Sequence, residues 1–160
     1  MKRIAVLIPT YKRSHKLEKL VNNFYECSSL ANLYFIVEPN DIKTLEVLDK
    51  LYTKYKFRVF TLHAEYVEAI NQGVSLTSEP FVFCGADDIL FTPNWDKKLL
   101  KIMEDENICV TGGVDDWPIS KSKVHTSHPM LRRTYINKYG GNWQTPGKVY
   151  FEGYQHYQGD

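Results

Sequence analysis

Two adjacent carboxylates, Asp87 and Asp88, follow the apolar run Phe81 to Cys84 (FVFC) after only Gly85 and Ala86. At the end of a buried strand such neighbours repel one another and lose hydration unless a cation or basic group offsets their charge. Their hard oxygens suit Mg²⁺ or Mn²⁺, which take one or two carboxylates and complete their shell with water and substrate phosphates. A structural reading competes with this one. Aspartate is common in turns, and the pair could cap the turn ahead of Thr92-Pro93. On spacing alone the two readings stand level.

A second polar segment, Pro9-Thr10-Tyr11-Lys12-Arg13, ends the first apolar run. It lacks the glycines that a dinucleotide fingerprint or a phosphate-cradling loop needs for close backbone approach. It offers instead an aromatic ring for stacking and Arg13 for charge; a solvated basic turn is the equal alternative. His15 and His63 read as surface or loop residues. His125 and His128, three apart beside Pro129, are too few for a zinc site. His156, within the aromatic segment Phe151-Glu152-Gly153-Tyr154-Gln155-His156-Tyr157, is a candidate metal or substrate contact. No serine lies in a nucleophile-elbow context, so no Ser/His/Asp triad assembles.

The elements that must position these residues fit in one domain of 160 residues. A net charge of +1 argues neither for a nucleic-acid-coating surface nor for an acidic tail, and no nucleic-acid partner is expected. The three cysteines, Cys27, Cys84 and Cys109, lack metal-ligand spacing and read as reduced, which fits a cytoplasmic setting. The apolar run at the N-terminus is too short for a signal sequence, and no stretch approaches a membrane span. The eleven tyrosines, several near the C-terminus, suit either a stacking surface or an amphipathic packing layer.

Strands are expected at Ile4–Ile8, closed by Pro9, and at 33–37, 57–62, 81–84 and 108–111. Helices are expected from an N-cap at Ser14, over 41–55, around 66–74, and from Thr92-Pro93 with Trp95, Leu99, Ile102 and Met103 inward. This alternation predicts βαβ units, hence a mostly parallel central sheet in a three-layer α/β/α arrangement. From Val114 onward the pattern turns irregular, apart from a short helix at Arg133 to Tyr139 stopped by Gly140-Gly141. Ligands of such sheets bind beyond the carboxyl ends of the strands. Those ends carry Pro9 to Arg13, then Glu38, Asn40 and Asp41, then Asp87 and Asp88, then Asp115, Asp116 and Trp117.

Taken together the chain resembles the family 2 glycosyltransferases of GT-A fold. The resemblance rests on Ile4-Ala5-Val6-Leu7-Ile8-Pro9-Thr10-Tyr11-Lys12-Arg13, Ala69-Ile70-Asn71-Gln72-Gly73, Phe83-Cys84-Gly85-Ala86-Asp87-Asp88, Pro93-Asn94-Trp95 and Gly112-Gly113. It implies a single domain over 1–160, with residues 1–113 binding a nucleotide-sugar and 114–160 forming a shortened acceptor side. It implies an inverting transferase that moves a sugar from a nucleotide-diphosphate donor, UDP above all, to a carbohydrate or other hydroxyl acceptor. Pro9, Thr10, Tyr11, Arg13, Glu38, Asn71 and Asp87 would contact the nucleotide. Asp88 and Asp87, with His156, would hold Mn²⁺ or Mg²⁺. Asp160 or Glu152 would be the base, with Asp115 and Asp116 as further alternatives. The sequence departs from the family at Gly85, where the first acid of Asp-x-Asp-Asp is expected, and in its short C-terminal region. A second reading follows from these departures: a GT-A-like domain that binds nucleotide or glycan and turns over little. A nucleotidyltransferase is disfavoured, because no glycine-rich loop follows the first strand.

Overall fold

A run as apolar as Ile4–Ile8 must be covered on both faces if it is to form a strand. In the computed structural model, which describes residues 2–113, 126–141 and 145–150, all five of these residues are fully buried. They lie in β1 (Ile4–Thr10), which pairs in parallel with β2 (Ala31–Val37) on one side and β4 (Phe81–Cys84) on the other. Beyond β2 lies β3 (Arg58–Thr61), also parallel. Beyond β4 the direction reverses: β6 (Pro129–Arg132) runs antiparallel to β4 and to the edge strand β5 (Val110–Gly112). The sheet order is β3-β2-β1-β4-β6-β5.

Alternation along β1 sorts the core into two layers. Ile4, Val6 and Ile8 face one cluster, which includes Leu17, Leu20, Val21 and Phe24 of α1 (Ser14–Cys27), Leu48 of α2 (Ile42–Tyr52), and Trp95, Leu99 and Leu100 of α4 (Trp95–Ile102). Ala5 and Leu7 face the other, with Ile70 and Val74 of α3 (Tyr66–Ser75) and Tyr135 and Ile136 of α5 (Arg133–Tyr139). The result is the expected three-layer α/β/α arrangement. Gly73 sets the depth of α3, because a Cβ there would lie 2.8 Å from Ile36 Cδ1 and 3.0 Å from Leu7 Cδ1.

Several sequence expectations need correction. Pro9 does not end β1, which continues through Pro9↔Ile36 to Thr10↔Val37. The β4 ladder has stopped at Leu7↔Cys84, so the missing proline N–H costs no sheet hydrogen bond. The residue preceding α1 is Arg13, with no side-chain cap, and Ser14 is already helical. The helix after Thr92-Pro93 begins at Trp95, because Asn94 adopts a left-handed φ of 58° and gives its N–H to the Cys27 carbonyl. Ile102 is exposed, and Leu100 takes the buried place expected for it. β6, which lacks a strand signal, lies in the region read as irregular.

α4 is tied to the start of β2 by Asp96, which is completely buried. Its Oδ2 accepts the Ser29 and Leu30 amides, each at 2.6 Å. Replacing Asp96 with Ala leaves both amides without their acceptor. The Asp96→Ala protein is expected to lose about 3 kcal/mol of stability in urea unfolding, with little change in m-value.

Candidate functional site

The parallel strands β1, β2, β3 and β4 end on one edge of the sheet, and the loops leaving them set the polar geometry. Thr10, buried at the end of β1, donates its hydroxyl to Asp87 Oδ2 at 2.8 Å. Arg13 Nη1 lies 3.1 Å from Asp87 Oδ1 and 3.1 Å from Asp88 Oδ2, so one nitrogen bridges both carboxylates. Lys16, one helical turn further along α1, places Nζ 3.7 Å from Asp88 Oδ2. The two acids differ in surroundings: the Asp87 side chain is 7% exposed and that of Asp88 50%. Basic groups therefore offset the paired charge within the chain itself.

The loop presenting Arg13 is held in an unfavourable backbone conformation. Lys12 has φ 56°, rare for a residue with a long side chain. Its amide donates to Asp41 Oδ2 at 2.6 Å, while Asp41 also caps α2 by accepting the Thr44 amide at 3.3 Å. Burial alone would raise the Asp41 carboxyl, but these hydrogen bonds outweigh it and hold the group below its ordinary value. Tyr11, at the tip, is 49% exposed, with the Lys12 ammonium 4.8 Å from its ring centre.

Gly85, where the family pattern has an acid, sits close against β1. A Cβ there would collide with Ile8 Cδ1 and sit 3.3 Å from the Leu7 carbonyl, so a side chain at this position requires the end of Ile8 to turn aside. Beneath this point Tyr66 donates its hydroxyl to the Gly85 carbonyl at 3.3 Å and packs against Tyr150, ring centres 5.9 Å apart. Burial raises both phenols, and it pushes the Cys84 thiol up to about 12, which keeps that cysteine neutral.

Glu38 and Asn71 lie apart from the acid pair. Both line a cavity of about 780 Å³ over α3, together with His63, Glu68, Gln72 and Lys148. Glu38 accepts the Ala64 amide at 3.0 Å and pairs with His63 Nδ1 at 3.0 Å. The Asn71 amide group is committed to the backbone of the 149–150 segment. Its Oδ1 accepts Val149 and Tyr150 amides at 2.8 and 3.0 Å, and its Nδ2 donates to the Tyr150 carbonyl at 3.0 Å.

The structure therefore brings Thr10, Arg13, Asp87 and Asp88 together, with Pro9 leading into the cluster and Tyr11 at its rim. Glu152, His156 and Asp160 lie outside the described residues, as do Asp115, Asp116 and Trp117. Among the described residues no group of three or more His, Cys, Asp or Glu side chains is placed to hold a metal ion. Sequence reasoning missed Lys16, Tyr66 and the anchoring role of Asp41. Lys16 was legible as one turn beyond Arg13 and Asp41 as a helix-capping aspartate; Tyr66 carried no signal.

A mostly parallel sheet with helices on both faces and charged groups at its carboxyl edge defines an α/β domain, a class in which ligands bind at the strand ends. The model of glycosyl transferase family 2 matches residues 5–156, and the chain belongs to that family. Solved structures share its GT-A fold at low identity. The mannosyltransferase PcManGT from Pyrobaculum calidifontis, in complex with GDP-Man and Mn²⁺, superposes with a TM-score of 0.67 at 15% identity, covering 86% of this chain and 46% of its own. Glucosyl-3-phosphoglycerate synthase from Mycobacterium tuberculosis, in complex with phosphoglyceric acid, gives 0.61 at 12% identity, covering 85% and 58%. TarS 1-349 from S. aureus, in complex with UDP, gives 0.54 at 19% identity, covering 68% and 34%. The chain thus spans under two thirds of the length of each of these proteins. No curated protein matches it in sequence. Among the described residues no helix is long and apolar enough to cross a membrane.

Two outcomes test the positioning groups. Asp41 stabilises when ionised, so its contribution is complete above the ordinary carboxylate value and fades as pH falls through the lowered folded value. Asp41→Asn is expected to be less stable than wild type at neutral pH, with the gap narrowing below about pH 4 in urea melts. Asn71→Ala should remove the partners of the Val149 and Tyr150 amides, at a cost of about 2 kcal/mol. Faster hydrogen exchange at those two amides would report it.

Proposed function

We propose that this chain is a metal-dependent, inverting glycosyltransferase that moves a sugar from a nucleotide-diphosphate donor, UDP in the first instance, to a hydroxyl acceptor. The observation that carries the reading is the Thr10–Asp87–Arg13–Asp88 cluster at the carboxyl edge of the sheet. The neighbours bound to GDP-Man with Mn²⁺ and to UDP support a nucleotide-diphosphate ligand there.

The residues fit a divalent cation in kind. Asp88 is half exposed and Asp87 adjoins it, and Mg²⁺ or Mn²⁺ needs only one or two carboxylates when phosphates complete its shell. Bound by these carboxylates, such an ion would supply Lewis-acid stabilisation of the charge growing on the leaving diphosphate. The chain's own groups would do the rest. Thr10 fixes the Asp87 carboxylate, while Arg13 and Lys16 bring positive charge to the same place. The exposed Tyr11 ring offers a stacking surface for the base, and Glu38 and the cavity over α3 give polar contacts beside it. In this reading the acceptor proton goes to Asp160 or Glu152, with the oxygen attacking the anomeric carbon opposite the leaving diphosphate.

A second reading, a donor-binding domain with little turnover, draws on Gly85. Glycine at this position gives no carboxylate where the family pattern supplies an acid.

Calorimetry with UDP, with and without Mn²⁺, followed by hydrolysis and transfer assays over donor panels, separates the two. Metal-dependent UDP binding that disappears in Asp88→Ala is the expected result. No UDP binding with or without metal would sink the proposal, and unchanged binding by Asp88→Ala would move the metal elsewhere. Binding without hydrolysis or transfer across the panels would favour the binding domain.

A further inference from the structure

The acid pair is already neutralised by the chain itself. Asp87 Oδ1 takes Arg13 and its Oδ2 takes Thr10, while Asp88 Oδ2 takes both Arg13 and Lys16. A divalent ion approaching the same oxygens meets a guanidinium nitrogen 3.1 Å from each carboxylate. The two cations repel one another, so the ion and Arg13 in this position exclude each other. The guanidinium has somewhere to go. Its side chain is 48% exposed, and the oxygens of a diphosphate can be taken bidentately by the planar guanidinium, a better match to its donors than two separate carboxylates. Arg13 also flanks the N-terminus of α1, where the first helical N–H groups favour an anion.

Resting on the metal-dependent donor reading above, we propose that Arg13 is an internal counter-cation that competes with the metal for Asp87 and Asp88. It releases them only when a diphosphate arrives to receive it. Metal and diphosphate then bind synergistically. The ion alone has to displace Arg13 into water, whereas with diphosphate present the guanidinium exchanges one anion for another. The strength of this competition is divided. The Arg13–Asp88 contact is between two half-exposed groups and is screened, so it yields easily. The Arg13–Asp87 contact involves a buried carboxylate and supplies most of the resistance. By linkage the enhancement of metal binding by diphosphate equals the enhancement of diphosphate binding by metal.

The test is a titration of Mn²⁺ followed by the electron paramagnetic resonance signal of the free ion, with and without saturating UDP. In wild type, UDP is expected to tighten Mn²⁺ binding about tenfold or more. In Arg13→Met, Mn²⁺ alone should bind several-fold more tightly than to wild type, and the enhancement by UDP should shrink by about the same factor, leaving the part that comes from phosphate coordination of the ion. Arg13→Gln is the second variant should Arg13→Met fail to fold. It removes the positive charge while keeping a polar side chain, so Mn²⁺ alone should again bind more tightly and the enhancement should again fall. An Arg13 variant that binds Mn²⁺ alone no better than wild type, or that keeps the full enhancement, overturns the inference and leaves the donor site standing. Absence of Mn²⁺ binding to wild type, with or without UDP, overturns the metal site and this inference together.

Discussion

A carboxylate that has lost nearly all of its water must be given other partners, and Asp87 receives two, the Thr10 hydroxyl and the Arg13 guanidinium. Much of the surrounding structure serves that exchange. Thr10 can reach Asp87 only because β1 continues past Pro9. Arg13 can reach it only because Lys12 turns into a left-handed conformation. That turn is held by Asp41, which spends one carboxylate on the loop and on the start of α2 together. Three strand ends are thus joined through charge-assisted hydrogen bonds, which are stronger than neutral ones and more exacting in geometry.

The floor of the site follows a different logic, one of close approach. Gly85 lets the chain leave β4 against the Ile8 side chain, and Gly73 lets α3 settle onto Leu7 and Ile36. Tyr66 and Tyr150 fill the space beneath, with Asn71 fastening the segment that carries Tyr150. Burial raises the Tyr66 and Tyr150 phenols and the Cys84 thiol, so this part of the molecule is uncharged beneath the charged groups above it. The cavity over α3 is lined in part by charged and amide side chains, Glu38, Glu68 and Gln72 among them.

Much of this was legible in the sequence because it depends on local pattern. FVFC at 81–84 and the short helix at Arg133 to Tyr139 fall where hydrophobic pattern and glycine stops put them. The strand-end rule brought Thr10, Arg13, Asp87 and Asp88 to one edge. Features set by distant partners were not legible. Asn71 reads as a ligand contact from its motif, yet its amide is used by residues nearly eighty positions away. The late start of α4 depends on the Asn94 N–H meeting Cys27, and the strand at Pro129–Arg132 is defined by its antiparallel pairing with β4 on one side and β5 on the other.

The insertion of β6 between β4 and β5 also bears on the order of assembly. Strands β1 to β4 pair through parallel ladders drawn wholly from residues 4–84, so that part of the sheet can close as soon as those residues are available. Strand β5 is made earlier in the chain than β6, yet among the described residues its ladder is with β6 alone. During synthesis it must therefore wait, with its backbone groups unpaired, for a segment about twenty residues further on. The open flank of β4 is exposed over the same interval, and an unpaired strand edge is where a nascent chain is most prone to pair with the wrong partner.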